Sequence, residues 1–156
     1  MSVRILLTKD GYLKISKFLE ECEKNRVIII EKIDEARKHG DLSENAEYKA
    51  AREEQSINDR KITEISMVKA NADILTKHMV GDLQSVKIGA KVFLEASDGV
   101  KKNFTMVSHY EADIASGYIS IETPIAKNLM HKEVGDIVTV ISKEYQVTNI
   151  SYDHLD

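Results

Sequence analysis

From Tyr12 to Lys38 the chain contains neither glycine nor proline, and a second such stretch runs from Glu44 to about His78. Uninterrupted runs of that length favour helix. In the first run, positions 15, 19, 22, 26, 29, 33 and 36 step by four and three in turn and hold Ile, Leu, Cys, Arg, Ile, Ile and Ala. This is a heptad seam with one polar member, Arg26. In the second run the seam falls at 48, 51, 55, 58, 62 and 65, on Tyr, Ala, Gln, Asn, Ile and Ile. Gly40 separates the two, glycine being the usual residue for the left-handed turn beyond a helix. Two long helices joined by a few residues lie antiparallel, so residues 1–78 predict a coiled-coil arm, roughly 40 Å long at about 1.5 Å per residue. The seam is thin near the loop, at Ala36, Ala51, Gln55 and Asn58, and richer at Ile15, Leu19, Ile62, Ile65 and Leu75. An arm built this way is expected to be held mainly at its root and by helix propensity.

Past Gly81 the pattern changes. Val86–Leu94, Phe104–Val107, Tyr118–Ile121, Ile137–Ile141 and Tyr145–Ile150 are short, rich in β-branched residues and separated by Gly, Asp, Ser or Asn. They predict strands of a small antiparallel sheet. Thr123-Pro124 is a good N-cap followed by a good first helical residue, so Ile125–Met130 predicts one short helix within that run. The expected class is α+β: an arm over 1–78 with its tip at 40–44, a linker over 79–84, and a sheet domain over 85–156.

Composition narrows the function. The net charge is −4; residues 1–80 carry 15 basic and 15 acidic side chains, and the remainder 7 and 11. Neither part has the basic surface on which free-standing nucleic-acid affinity rests. Cys22 is the only cysteine, so no intrachain disulfide can form and a reducing compartment fits. The first residues are too few and too weakly apolar for a signal peptide, and no stretch approaches the ~18 apolar residues of a membrane span. The expectation is a cytoplasmic protein with no membrane partner.

The chemistry-bearing residues lie at the break between the helices, in His39-Gly40-Asp41-Leu42-Ser43-Glu44-Asn45-Ala46-Glu47-Tyr48. Asp41 and Glu44 fit two roles. Asp-x-x-Glu at a helix start is the pattern of a capping box. Two exposed carboxylates one turn apart also offer hard oxygen ligands to Mg²⁺, which commonly uses one or two protein carboxylates and keeps several waters. Two ligands do not make a tight independent site, so the second role requires a partner that already holds the ion. Arg37 and Arg52 flank the tip, either as solvated charges or as guanidinium contacts to phosphate or base. Tyr48 occupies a seam position and reads as packing before stacking on a nucleobase, though near a thin tip it could do both, and Cys22 reads as core. The five histidines show no ligand spacing, and there is no glycine-rich phosphate loop, nucleophile elbow or Cys-x-x-Cys.

Ala36-Arg37-Lys38-His39-Gly40-Asp41-Leu42-Ser43-Glu44-Asn45-Ala46-Glu47-Tyr48, continuing through Lys49-Ala50-Ala51-Arg52-Glu53-Glu54-Gln55, closely resembles the tip signature of the bacterial Gre transcript-cleavage factors. Thr123-Pro124-Ile125-Ala126-Lys127-Asn128-Leu129 and Gly135-Asp136-Ile137-Val138-Thr139-Val140 look like the helix and following strand of that family's FKBP-like C-terminal domain. The chain departs from the family pattern at Val27, where many relatives have Pro, at Thr123, usually Ser, and at His131, commonly Gly.

The resemblance implies an elongation factor whose coiled coil enters the secondary channel of backtracked bacterial RNA polymerase. It implies that Asp41 and Glu44 act in trans, helping to hold the second catalytic Mg²⁺ and orient the attacking water, so that the polymerase cleaves its own transcript. It further implies that Arg37 and Arg52 contact the displaced 3′ RNA, that Thr123 and Pro124 touch the polymerase, and that the factor works as a monomer. Such a protein needs no cofactor of its own and is not an enzyme alone. Two rivals stand beside this reading. One is an anti-cleavage paralogue plugging the same channel, against which the intact Gly40-Asp41-Leu42-Ser43-Glu44 argues. The other is a coiled-coil adaptor or chaperone with an FKBP-like module. Prolyl isomerase chemistry is disfavoured, because it needs an aromatic-lined pocket and the domain offers only Phe93, Phe104 and four Tyr.

Overall fold

The computed structural model describes residues 4–40 and 45–156. They divide into two compact units, one formed by Leu13–Asn71 and the other by Met1–Tyr12 together with Ala72–Asp156.

The helical unit is made by α1 (Lys9–Arg37), whose first turn belongs to the other unit, and α2 (Ala46–Ala70). Cross-helix pairs run in opposite senses: Lys32 meets Glu54 at 3.2 Å and Arg26 meets Asp59 at 3.7 Å. The helices are therefore antiparallel, and the predicted seam is the buried one, with Cys22, Ile29, Ile33, Ala36, Ala51 and Asn58 all inside. Arg26 escapes the seam by extending its guanidinium to Asp59 at the surface. Asn58 stays in. Its Nδ2 donates to the Cys22 carbonyl at 2.9 Å, and its Oδ1 accepts from Asn25 Nδ2 at 3.3 Å. Any other register would bury that amide without partners, so Asn58 specifies the pairing.

The expectation that the arm is held at its root is corrected. The compact cluster is Ile29, Ile33 and Ala51 with Tyr48 packed on it, on the loop side of the arm. Ile15, Leu19, Ile62 and Ile65 are only half-buried. A small residue at 51 lets the helices close over the two isoleucines, which a count of large apolar residues along the seam does not register.

In the second unit a five-stranded sheet runs in the order β5 (Tyr118–Ser120), β4 (Lys101–Val107), β3 (Lys91–Glu95), β7 (Lys143–Ser151), β6 (Ile137–Val140). All five predicted strand regions contribute. The sheet is mixed, however, and not antiparallel: β4 and β5 pair in parallel, Thr105 opposite Tyr118. Residues 108–117, with a 3₁₀ turn at Ile114–Ser116, carry the chain back only as far as Thr105, so that β5 runs beside the second half of β4 in the same direction. α4 (Pro124–Leu129) is the predicted helix and sends Ala126 and Leu129 into a core that includes Val86, Val92, Leu94, Met106 and Val147. Tyr152 closes it, donating to the Ser85 carbonyl at 2.5 Å and accepting from the Lys87 amide at 2.9 Å; burial pushes its phenol pKa up.

Two further features were not expected. β1 (Ile5–Leu7) and β2 (Ala72–Ile74) form a separate parallel pair. The segment predicted as a linker, 79–84, is built into the sheet unit: its first two residues end α3 (Lys77–Val80), which Thr76 caps, Val80 lies in the core with Leu75 just before the helix, and Leu83 packs against it. The arm therefore does not occupy all of residues 1–78. Thr8 fixes the first turn of α1, its Oγ1 accepting from the Gly11 amide at 3.1 Å. The Glu111 carboxylate accepts in turn from the Thr8 amide at 3.1 Å and from its hydroxyl. A Cβ at Gly11 would run into that carboxylate, which explains a glycine inside a helical turn. Among the described residues no helix is long and apolar enough to cross a membrane.

His131 has φ +67, in the left-handed region, with its side chain exposed and its amide donating to the Val86 carbonyl at 2.8 Å. That geometry suits glycine. His131→Gly removes a left-handed penalty of roughly 1–2 kcal/mol and returns about 0.4–1 kcal/mol through the freer unfolded chain. The variant is expected to unfold at a higher urea concentration, with an unchanged slope.

Candidate functional site

The tip is built by the way each helix ends. α1 closes at Arg37 with a tightened turn: the Lys38 amide donates to the Glu35 carbonyl at 3.1 Å and the His39 amide to the Ala36 carbonyl at 3.2 Å. Gly40 follows at φ +116, a conformation open to glycine. Asn45 sits in extended backbone and is the N-cap of α2, its Oδ1 accepting from the Tyr48 amide at 3.0 Å. The other end of the same amide, Nδ2, donates to the Ala36 carbonyl at 2.7 Å. One side chain thus gives the Ala36 carbonyl a second donor, beside the His39 amide, and satisfies an orphan amide at the start of α2. Tyr48 and Ala36 are themselves seam residues, so the clasp is seated on the packed part of the arm.

Asp41 and Glu44 lie outside the described residues, with Gly40 on one side and Asn45 on the other. α2 starts at Ala46 and its cap is Asn45. Two overlapping cap patterns stood in the sequence, and the helix uses the later one. Sequence reasoning placed Asn45 in the motif without a role; an Asn directly before Ala46-Glu47-Tyr48 was the signal available.

Arg37 is exposed in the last turn of α1, where a cation suits the helix dipole. Arg52 is exposed within the first two turns of α2, its Nη1 donating to Gln55 Oε1 at 2.8 Å. Both guanidinium groups therefore belong to the loop-proximal ends of their helices. A groove of about 290 Å³ between the loop-side ends of the helices is lined by Lys32, Glu35, His39, Glu47 and Glu54 among others, with Lys32 paired to Glu54 and neither arginine in its wall. Among the described residues no group of three or more His, Cys, Asp or Glu is arranged to hold a metal ion. A cation at this tip would depend on the two hard carboxylates of the loop and on ligands from elsewhere.

In the sheet unit, Thr123 is occupied as the cap of α4. Its Oγ1 accepts from the Ala126 amide at 3.3 Å and donates to the Ser120 carbonyl at 2.8 Å. Pro124 is exposed at the first helical position. Of this pair, Pro124 is the one that presents surface.

The chain thus joins a helical hairpin, with Gly40, Asp41 and Glu44 between its helices, to a small α+β unit, the two-part class to which it belongs by fold. Two family models match the chain: the N-terminal region of transcription elongation factors over residues 5–74, and the C-terminal region of the GreA/GreB transcription elongation factors over 81–152. Transcription elongation factor GreA of Rhizobium etli is 44% identical over 160 aligned positions, covering 97% of this chain and 99% of that protein. The GreA of Rickettsia typhi is 41% identical over 165 positions, covering 100% and 99%. Among solved structures, GreA factor homolog 1 of Thermus thermophilus aligns over 96% of this chain and 99% of that one, at 24% identity and a TM-score of 0.46. The chain belongs to the GreA/GreB family of transcription elongation factors.

Proposed function

We propose that this elongation factor acts on bacterial RNA polymerase as a cleavage stimulator. Its helical arm enters the secondary channel of a backtracked enzyme and delivers Asp41 and Glu44 to the catalytic centre, where the polymerase hydrolyses the extruded 3′ segment of its own transcript. The observation that carries this reading is the helical tip clasped by Asn45, which seats the ends of the acidic loop on the packed part of the arm. When bound there, Mg²⁺ shared with the polymerase would stabilise charge developing on the phosphoryl oxygens. Asp41 and Glu44 would lend it oxygen ligands and hold the attacking water in line. Arg37 and Arg52, exposed on the two helix ends, suit contact with displaced RNA, since a planar guanidinium pairs with phosphate and stacks on bases. The exposed Pro124 at the start of α4 offers a rigid contact for the polymerase surface. The factor acts as a monomer and supplies side chains in trans, with no catalysis of its own.

Two carboxylates cannot assemble a two-metal site. The purified protein is therefore expected to leave naked RNA intact in Mg²⁺ buffer, as read on a sequencing gel. Cleavage of naked RNA by a polymerase-free preparation, lost on Asp41→Ala, would contradict the proposal.

A further inference from the structure

We infer that Asn45 is a positioning residue for transcript cleavage, pinning the last turn of α1 to the first turn of α2 and so fixing the two points between which Asp41 and Glu44 are carried. The inference rests on the reading that those carboxylates act at the polymerase centre.

Several observations carry it. The Asn45 amide is used at both ends, as acceptor from the Tyr48 amide at 3.0 Å and as donor to the Ala36 carbonyl at 2.7 Å. An N-cap requires only the first of these. The second is a contact between the two helices, and it is the shorter one. It lands on a residue that is 3% exposed, and Tyr48 packs on the Ile29, Ile33 and Ala51 cluster. The pin therefore joins two rigid points. Residues 37–44 span them, and joining the ends of a short segment removes much of its conformational freedom. A group displaced by ~1 Å from productive geometry can lose on the order of a hundredfold in rate. The position of the two acids should thus depend on the donor half of Asn45, while the helix start depends on the acceptor half.

Asn45→Asp and Asn45→Ser separate the halves. Asp and Ser cap a helix about as well as Asn. An ionised Asp has no donor for the Ala36 carbonyl, and Ser is too short to span both partners. The measurements are thermal midpoint, the factor concentration giving half-maximal cleavage of a backtracked complex, and the cleavage rate at saturating factor, with Asp41→Asn run in parallel. Both Asn45 variants are expected to keep the midpoint and the half-saturating concentration near wild type. Their saturating rate should fall by about tenfold or more, with no relief from excess factor.

A saturating rate near wild type in both, with Asp41→Asn inactive, would overturn the inference and leave the proposed function standing. Loss in Asn45→Asp alone would assign the effect to the added charge and also overturn it. A lowered midpoint with a raised half-saturating concentration would make Asn45 a structural cap only. If Asp41→Asn itself cleaves normally, the acid reading fails and the inference falls with it.

Discussion

Asp41→Asn is expected to lower stimulated cleavage on the order of a hundredfold, the scale of losing one group that stabilises charge in a transition state, while leaving fold and polymerase affinity in place. An acid at this place could serve the helix or an ion, and the substitution separates the two. The N-cap of α2 is Asn45, so the helix start does not rely on position 41. Stability should change by no more than about 0.5 kcal/mol, the range of ordinary surface substitutions. An amide keeps the size of the carboxylate and removes its charge, which makes it a much poorer Mg²⁺ ligand. The variant should still occupy the polymerase and act as a competitive inhibitor of the wild type. A variant that cleaves as well as wild type would remove the chemical role of the tip.

Leu75→Ala is expected to cost about 2–5 kcal/mol, the range for emptying a well-packed leucine site, and to do so in the sheet unit. Leu75 is 2% exposed, and its side chain lies against Gly89, where an added Cβ would come within 2.5 Å of Leu75 Cδ2 and 3.2 Å of Leu155 Cδ1. The sequence pattern assigned Leu75 to the root of the arm; the core assigns it to the company of Val92, Met106 and Leu155. Hydrogen exchange tells the two apart. Protection should fall across β3, β4 and β7 and persist around Ile29 and Ile33. Loss confined to α1 and α2 would return residue 75 to the arm. For the same reason a fragment beginning at residue 79 is a poor test of the C-terminal unit, since it lacks Leu75 and the β1–β2 pair.

What was legible in the sequence follows the range of the interactions. The helix seams step by four and three in turn, and their members at 22, 29, 33, 36, 51 and 58 are the buried ones. β3 alternates half-buried and buried side chains with a period of two, and Thr123-Pro124 marks α4 through local capping chemistry. The parallel β1–β2 pair joins three-residue segments separated by both long helices, and no local pattern encodes such a pairing. The parallel partner of β4 depends on how residues 108–117 turn, which alternation cannot reveal. At the tip, the resemblance picks out the motif, but Asp41-x-x-Glu44 has the form of a capping box and hides the N-cap four residues later, Asn45. His131 was noted as a departure from a glycine, and its φ of +67 supplies the reason for the glycine.

If the factor makes a backtracked polymerase cut its own RNA, the cut is visible on the transcript itself. The direct measurement uses an elongation complex backtracked by several nucleotides, its transcript labelled at the 5′ end, with purified factor and Mg²⁺ added. A shortened labelled RNA is expected within the complex, which then extends when nucleotides are supplied, with no shortening when the factor carries Asp41→Asn. A wild-type factor that binds the complex and leaves the labelled RNA at its original length would contradict the account.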